Sequence, residues 1–198
     1  MTDKEKEYYK SIKSLLIGRK IKDIYYEELD YKDDLEYWEL YPDTHSIDMR
    51  VVLKLDNQDL IQIMWDNEFY CYGIGLNRLD ELSTIENFKT IKVSDNPNWT
   101  ALLGEEITEI TVFWDIEDAI EYHYKNNRLT NSKKMRITLP QTWELTFNND
   151  NNQTIWISAL ELRDKEPTFW ADNLTVFFAN QGQEKYKLKE AGVHKRIK

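Results

Sequence analysis

One cysteine, six glycines and three histidines in 198 residues leave several kinds of chemistry without the parts they need. Cys71 stands alone between Tyr70 and Tyr72, so no intrachain disulfide forms and a reducing compartment is expected. A nucleophilic thiol needs an activating cation nearby, and the aromatic neighbours instead suit a small buried hydrophobe. With so little glycine there is no phosphate-cradling loop, no dinucleotide fingerprint and no Gly-x-Ser-x-Gly elbow. His45, His123 and His194 are far apart and show no metal-ligand spacing. Asp115, Glu117, Asp118 and Glu121 read as a solvated acidic loop: their spacing fits no cation-binding loop and the turn glycine is missing. Nothing singles out one carboxylate pair among 36 acids. No catalytic residue, metal or cofactor is therefore expected, and the chain reads as non-enzymatic. No run of eighteen apolar residues exists to span a membrane. The opening Met1-Thr2-Asp3-Lys4-Glu5-Lys6-Glu7 is charged where a secretory leader is apolar, so a cytoplasmic location is expected.

What is present is acid and aromatic surface. Hydrophobic residues at 41% and aromatics at 13% are enough for a packed core. The net charge of −10 is uneven, because Lys185, Lys187, Lys189, Lys195, Arg196 and Lys198 face only Glu184 and Glu190 at the end of the chain. The first 180 residues thus carry a net −14, which repels nucleic acid and attracts basic protein surfaces. Direct contact with nucleic acid is expected only through the basic end, if at all.

The sequence also repeats. Leu16-Ile17-Gly18-Arg19-Lys20-Ile21-Lys22-Asp23-Ile24 matches Leu102-Leu103-Gly104-Glu105-Glu106-Ile107-Thr108-Glu109-Ile110 at an offset of 86. The same offset lays Met49-Arg50-Val51-Val52-Leu53 on Met135-Arg136-Ile137-Thr138-Leu139. More loosely, Ile61, Ile63 and Trp65 fall on Trp143, Leu145 and Phe147, and Ile74, Ile91 and Val93 fall on Ile157, Leu174 and Val176. The expected organisation is a first β-meander unit with an N-terminal helix over 1–95, a second unit over 96–180, and a basic tail over 181–198. The fold class is mainly β (α+β), with two duplicated antiparallel units. Thr2 to Glu5 has capping-box form, and Tyr8, Ile12, Leu15 and Leu16 recur at helical spacing. Gly18 stands where a left-handed helix end belongs. Strands are predicted at 21–26 and 107–114. Ile47, Met49, Val51, Leu53 and Leu55 alternate as one strand face. Asn-rich stretches at 56–59 and 148–152 make hairpin turns, and Thr90–Val93 and Leu174–Phe178 close the two units. The buried set predicted from both copies is Ile21, Ile24, Met49, Val51, Leu53, Ile107, Ile110, Met135, Ile137 and Leu139.

One window differs between the copies. Residues 23–48 hold ten acids and one base, interleaved with Tyr25, Tyr26, Tyr31, Tyr37, Trp38 and Tyr41; the matching 109–134 holds five acids and four bases. A scaffold requirement should appear twice, and this feature appears once. The candidate partner-binding residues are Glu27, Asp30, Tyr31, Asp33, Asp34, Glu36, Tyr37, Trp38, Glu39, Tyr41 and Asp43. Trp38 or Tyr37 is the expected apolar anchor, and the carboxylates would steer a basic surface. The Leu-x-Gly-x-x-Ile-x-x-Ile entry into a meander, this acidic aromatic loop and the missing catalytic residues together resemble the immunity proteins of bacterial polymorphic-toxin systems. That resemblance implies a cytoplasmic inhibitor that binds one basic toxin domain and occludes its active site. The alternative reading is a carbohydrate-binding or other ligand-binding β-module, built on seven tryptophans, twelve tyrosines and many asparagines.

Overall fold

A computed structural model describes residues 1–32, 38–69, 71–82, 86–150, 152–163, 166–169, 171–188 and 193–198. The protein is mainly β, in antiparallel sheets, with an N-terminal helix. Helix α1 (Asp3–Leu16) begins with the expected capping box: Thr2 accepts from the Glu5 amide, and the Glu5 side chain accepts from the Thr2 amide. It buries Tyr8, Tyr9, Ile12 and Leu16. Gly18 and Gly104 have φ of +76° and +80°. A Cβ at either would meet nothing within 4 Å, so glycine is required there by backbone conformation alone.

Among the described residues one strand order occurs twice. The first sheet runs β6–β5–β4–β1–β7, from β1 (Ile21–Leu29), β4 (Arg50–Leu55), β5 (Leu60–Asp66), β6 (Gly73–Leu79) and β7 (Phe88–Lys92). The second contains β13–β10–β9–β8–β14, from β8 (Ile107–Lys125), β9 (Arg128–Phe147), β10 (Thr154–Ser158), β13 (Leu174–Phe177) and β14 (Val193–Ile197). Corresponding bonds repeat in detail. Ile21 pairs with Leu55 and Ile107 with Phe147, each followed by an irregularity in register at the next residue. Asp56 donates to Lys20 and Asn148 to Glu106, at 2.9 and 2.8 Å. The units also clasp each other reciprocally: the Gly18 amide donates to the Ile107 carbonyl, and the Gly104 amide to the Ile21 carbonyl.

These pairings correct several sequence-based assignments. Leu53 lies opposite Ile24, and Leu145 lies opposite Ile110, so the counterpart of Leu53 is Leu145 and not Leu139. The match of Met49-Arg50 to Met135-Arg136 is therefore coincidental, as is that of Ile61 and Ile63 to Trp143 and Leu145; Ile61 corresponds to Ile155. Ile47 and Met49 do not share a strand, because β3 (Thr44–Ile47) joins the second sheet while β4 starts at Arg50 in the first. The span 181–198, expected as a tail, contributes the helix α3 (Asn180–Lys185) and β14, which closes the second sheet against β8 as β7 closes the first against β1. Leu174–Phe177 instead occupies the position of β6.

The two units are not separate bodies. The β2 (Glu39–Tyr41) and β3 hairpin, inserted between β1 and β4, pairs with β13 and extends the second sheet to seven strands. One contiguous core takes Ile24, Tyr26, Leu53 and Ile63 from the first sheet and Ile110, Trp143, Leu145 and Ile157 from the second. The ribbon β11 (Leu160–Arg163) and β12 (Glu166–Phe169) and helix α3 flank a smaller cluster around Trp156, Phe177 and Tyr186. The four-residue α2 (Pro97–Thr100) seats Trp99 in the main core. Eight of the ten predicted core residues are buried, and Met49 and Met135 are half-buried. Leu53→Ala should cost about 2–5 kcal/mol in urea denaturation, through lost transfer energy and the cavity left behind. An unchanged midpoint would remove Leu53 from the core.

Candidate functional surface

The structure divides the predicted acidic aromatic loop. Glu27 is fully buried in β1, and its Oε2 accepts from Arg50 Nε; Arg50 Nη1 also donates to Gln62 Oε1. Asp30 pairs with Lys32 at 2.8 Å, which holds its carboxyl below the usual range. Tyr31 is 57% exposed and donates to Asp48 Oδ2 at 3.1 Å. Asp33, Asp34, Glu36 and Tyr37 lie outside the described residues. Trp38 is 8% exposed and packs edge-on against Tyr26 and His45, at 5.5 and 4.8 Å between ring centroids. It cannot be an exposed anchor; the expectation is corrected, and Trp38 is a core residue. Glu39 is exposed, while Tyr41 and Asp43 are half-buried where β2 turns into β3. The Asp43 carbonyl accepts from the Phe178 amide. Of the described members of this loop, Asp43 bonds directly to the second unit, and the hairpin is attached to that unit's sheet through the pairing of β3 with β13.

A polar chain lies beneath it. Trp99 Nε1 donates to Tyr26 Oη at 2.6 Å, and the same phenol is hydrogen-bonded to His45 Nδ1 at 2.7 Å. Burial keeps His45 neutral and pushes its pKa down to about 4. Trp143 donates to Tyr8 and Trp114 to Tyr9 in the same manner. Burial raises the phenol of Tyr9 to about 12 and that of Tyr8 well above its usual value. The described tryptophans are spent on the interior: Trp38, Trp99, Trp114, Trp143 and Trp156 are buried, and Trp65 is half-buried. This weighs against sugar stacking, which needs exposed aromatic faces.

Glu28 sets a pH dependence. It is buried beside Asp48, accepts from the Asp48 amide at 3.2 Å, and is raised to about 9 by burial first and the Asp48 charge second. A folded-state value above the unfolded one means that the native chain holds a proton the unfolded chain releases. Its contribution is complete below about 4.5 and is lost as pH rises toward about 9. Glu28→Gln should therefore gain stability relative to the native sequence on going from pH 5 to pH 8, by more than about 1 kcal/mol. Parallel stability–pH curves for the two proteins would refute the buried proton.

The surface that sequence reasoning missed is in the second unit. Between the repeated parts of β8 and β9 the strands continue as a two-stranded arm, paired from Trp114↔Pro140 out to Lys125↔Arg128. Asn126 and Asn127 both have positive φ, as a two-residue type I′ turn requires. Strand β14 stops at Trp114 and β10 pairs β9 only over Thr142–Thr146. Among the described residues, the arm beyond those points therefore has two unpaired edges. Asp118 and Glu121, expected in a loop, lie across from Arg136 and Lys133. Ile120, Tyr122 and Leu129 are 48, 53 and 55% exposed. The legible signal was Asn126-Asn127 between alternating residues; the acidic cluster upstream obscured it.

Among the described residues no group of three His, Cys, Asp or Glu side chains could hold a metal ion. No helix among them is long and apolar enough to cross a membrane. No protein-family model, characterised protein or solved structure matches this chain.

Proposed function

We propose that this is a non-enzymatic protein-binding inhibitor of the immunity type, in which the acidic body attracts a basic toxin domain and the β8–β9 arm supplies the apolar contact. The observation that carries the reading is the arm itself, with Ile120, Tyr122 and Leu129 exposed and, among the described residues, both edges unpaired. A two-stranded ribbon is only marginally stable in water, and open apolar edges invite pairing. A sequence that keeps such an arm has a use for it, and a partner surface supplies the missing contacts. The second unit alone carries it; the first unit's equivalent insertion is absorbed into the neighbouring sheet. The acidic body accelerates encounter with a basic partner, so association should slow as salt rises. The test is capture of the partner from the native source, followed by hydrogen exchange on the reconstituted complex. Protection across 115–139 is expected, together with inhibition of the partner's activity. Protection confined to residues 27–43, or a partner whose activity is unaffected, would overturn the proposal.

A further inference from the structure

An open groove of about 500 Å³ lies between helix α1 and the edge strand β14. It is lined by Tyr9, Lys10, Lys13, Lys195, Arg196 and Lys198 among others, with no carboxylate side chain among the lining residues. Five bases around one groove is unexpected in a chain of net charge −10. Glu109 holds two of them, at 2.8 Å from Arg196 and 3.0 Å from Lys198, and Glu7 lies 3.3 Å from Lys10. Lys13 and Lys195 have no ion-pair partner among the described residues. The Lys195 ammonium is 4.0 Å from the Tyr9 ring centroid, which turns it toward α1.

The groove also borders a sheet edge. β14 is the last strand of the seven-stranded sheet, bonded on its inner side to β8 from Val193↔Trp114 to Ile197↔Ile110. No strand among the described residues takes its outer side. Basic residues on an edge strand keep a second, equally basic edge from pairing with it. The same charges favour a strand of opposite sign. Edge basicity alone does not explain why α1 adds Lys10 and Lys13 to the same groove.

We propose that this groove receives an acidic, extended protein segment, which adds beside β14 as a further strand. Main-chain bonds to the open edge would supply affinity, and alternate carboxylates would supply selectivity. Carboxylates on one face of the added strand meet Lys13 and Lys195 toward α1. Those on the other face meet Arg196 and Lys198, in competition with Glu109. This surface is independent of the arm, so its failure leaves the proposed inhibitor role standing.

The probe is a short labelled peptide of alternating glutamate and valine, titrated against the whole chain by fluorescence anisotropy. Comparison probes are the same peptide with proline at alternate positions, a short oligothymidylate and inorganic phosphate. The alternating peptide should bind, with affinity falling as salt rises and backbone amide shifts centred on Val193–Ile197. The charge reversals K13E and K195E together should weaken it by about tenfold or more. The neutral pair K13Q and K195Q should give a smaller loss, and K133E with K134E in the arm should give none. Equal binding of the proline peptide would show that charge acts without the edge and would overturn strand addition. Equal or tighter competition by oligothymidylate or phosphate would overturn the choice of a protein ligand. Absence of peptide binding, or binding indifferent to K13Q and K195Q, would overturn the site.

Discussion

Replacing Arg50 with alanine should destabilise the protein by about 3–5 kcal/mol, a large share of the 5–15 kcal/mol that holds a typical domain folded. The reason lies in what remains. Glu27 is fully buried, its Oε1 has no hydrogen-bond partner, and its Oε2 depends on the Arg50 guanidinium. Without Arg50 the carboxylate is left in the interior unpaired, and Gln62 loses its donor as well. The penalty belongs to the broken pair and not to the pair's net worth. Changing both partners to apolar residues, Glu27→Leu with Arg50→Met, should recover most of the loss. Urea denaturation of the single and double variants decides the matter. A cost below about 1 kcal/mol for Arg50→Ala would mean that Glu27 is hydrated in solution.

The second large effect concerns binding. Removing residues 118–136 and joining Glu117 to Ile137 through Asn-Gly keeps the cross-strand pair at 117 and 137, and closes it with a turn suited to that geometry. Ile137 and Leu139 are buried and are retained. The fold should survive with little change in melting temperature, because the excised residues lie outside the main core. Affinity for the captured partner should fall about a hundredfold or more, equivalent to about 2.7 kcal/mol. Tyr122→Ala in the full-length arm should account for more than about 1 kcal/mol of that, through faster dissociation. Reversing Asp33 and Asp34 to lysine should act differently, slowing association chiefly at low salt. A truncated protein that binds with native affinity would end the assignment of the arm.

Where one residue type answers to one local requirement, the fold was legible. The capping box at Thr2 and Glu5, and the left-handed glycines 18 and 104, are conditions on a few neighbouring atoms and can be read directly. The matched entry at 16–24 and 102–110 located both first strands for the same reason. Legibility failed where insertions intervened. Carrying the offset of 86 past residue 30 ignored the unequal lengths inserted between paired strands, and a chance Met-Arg match seemed to confirm it. Trp38 misled because an indole amid acids reads as an interface anchor, whereas its burial is decided by Tyr26 and by His45, which itself packs on Phe178. The last strand was hidden by its lysines, since an edge strand needs only one apolar face and Ile197 supplies it. The arm's exposed face depends on which neighbours stop short, which no local pattern records.

The pairing of β3 with β13 also constrains how the chain is made. Ser46 bonds to Asn173 across 127 positions, and Trp143 to Tyr8 across 135. During synthesis the first unit leaves the ribosome long before the strand that covers β3 exists. Until 174–177 is translated, Trp38, His45 and Ile47 have no second sheet to cover them, and Tyr8 has no Trp143. The nascent first half therefore exposes an incomplete core until the second unit is translated, and the structure closes only then. A stalled chain ending before residue 170 should be protease-sensitive and chaperone-bound, whereas the released chain should not.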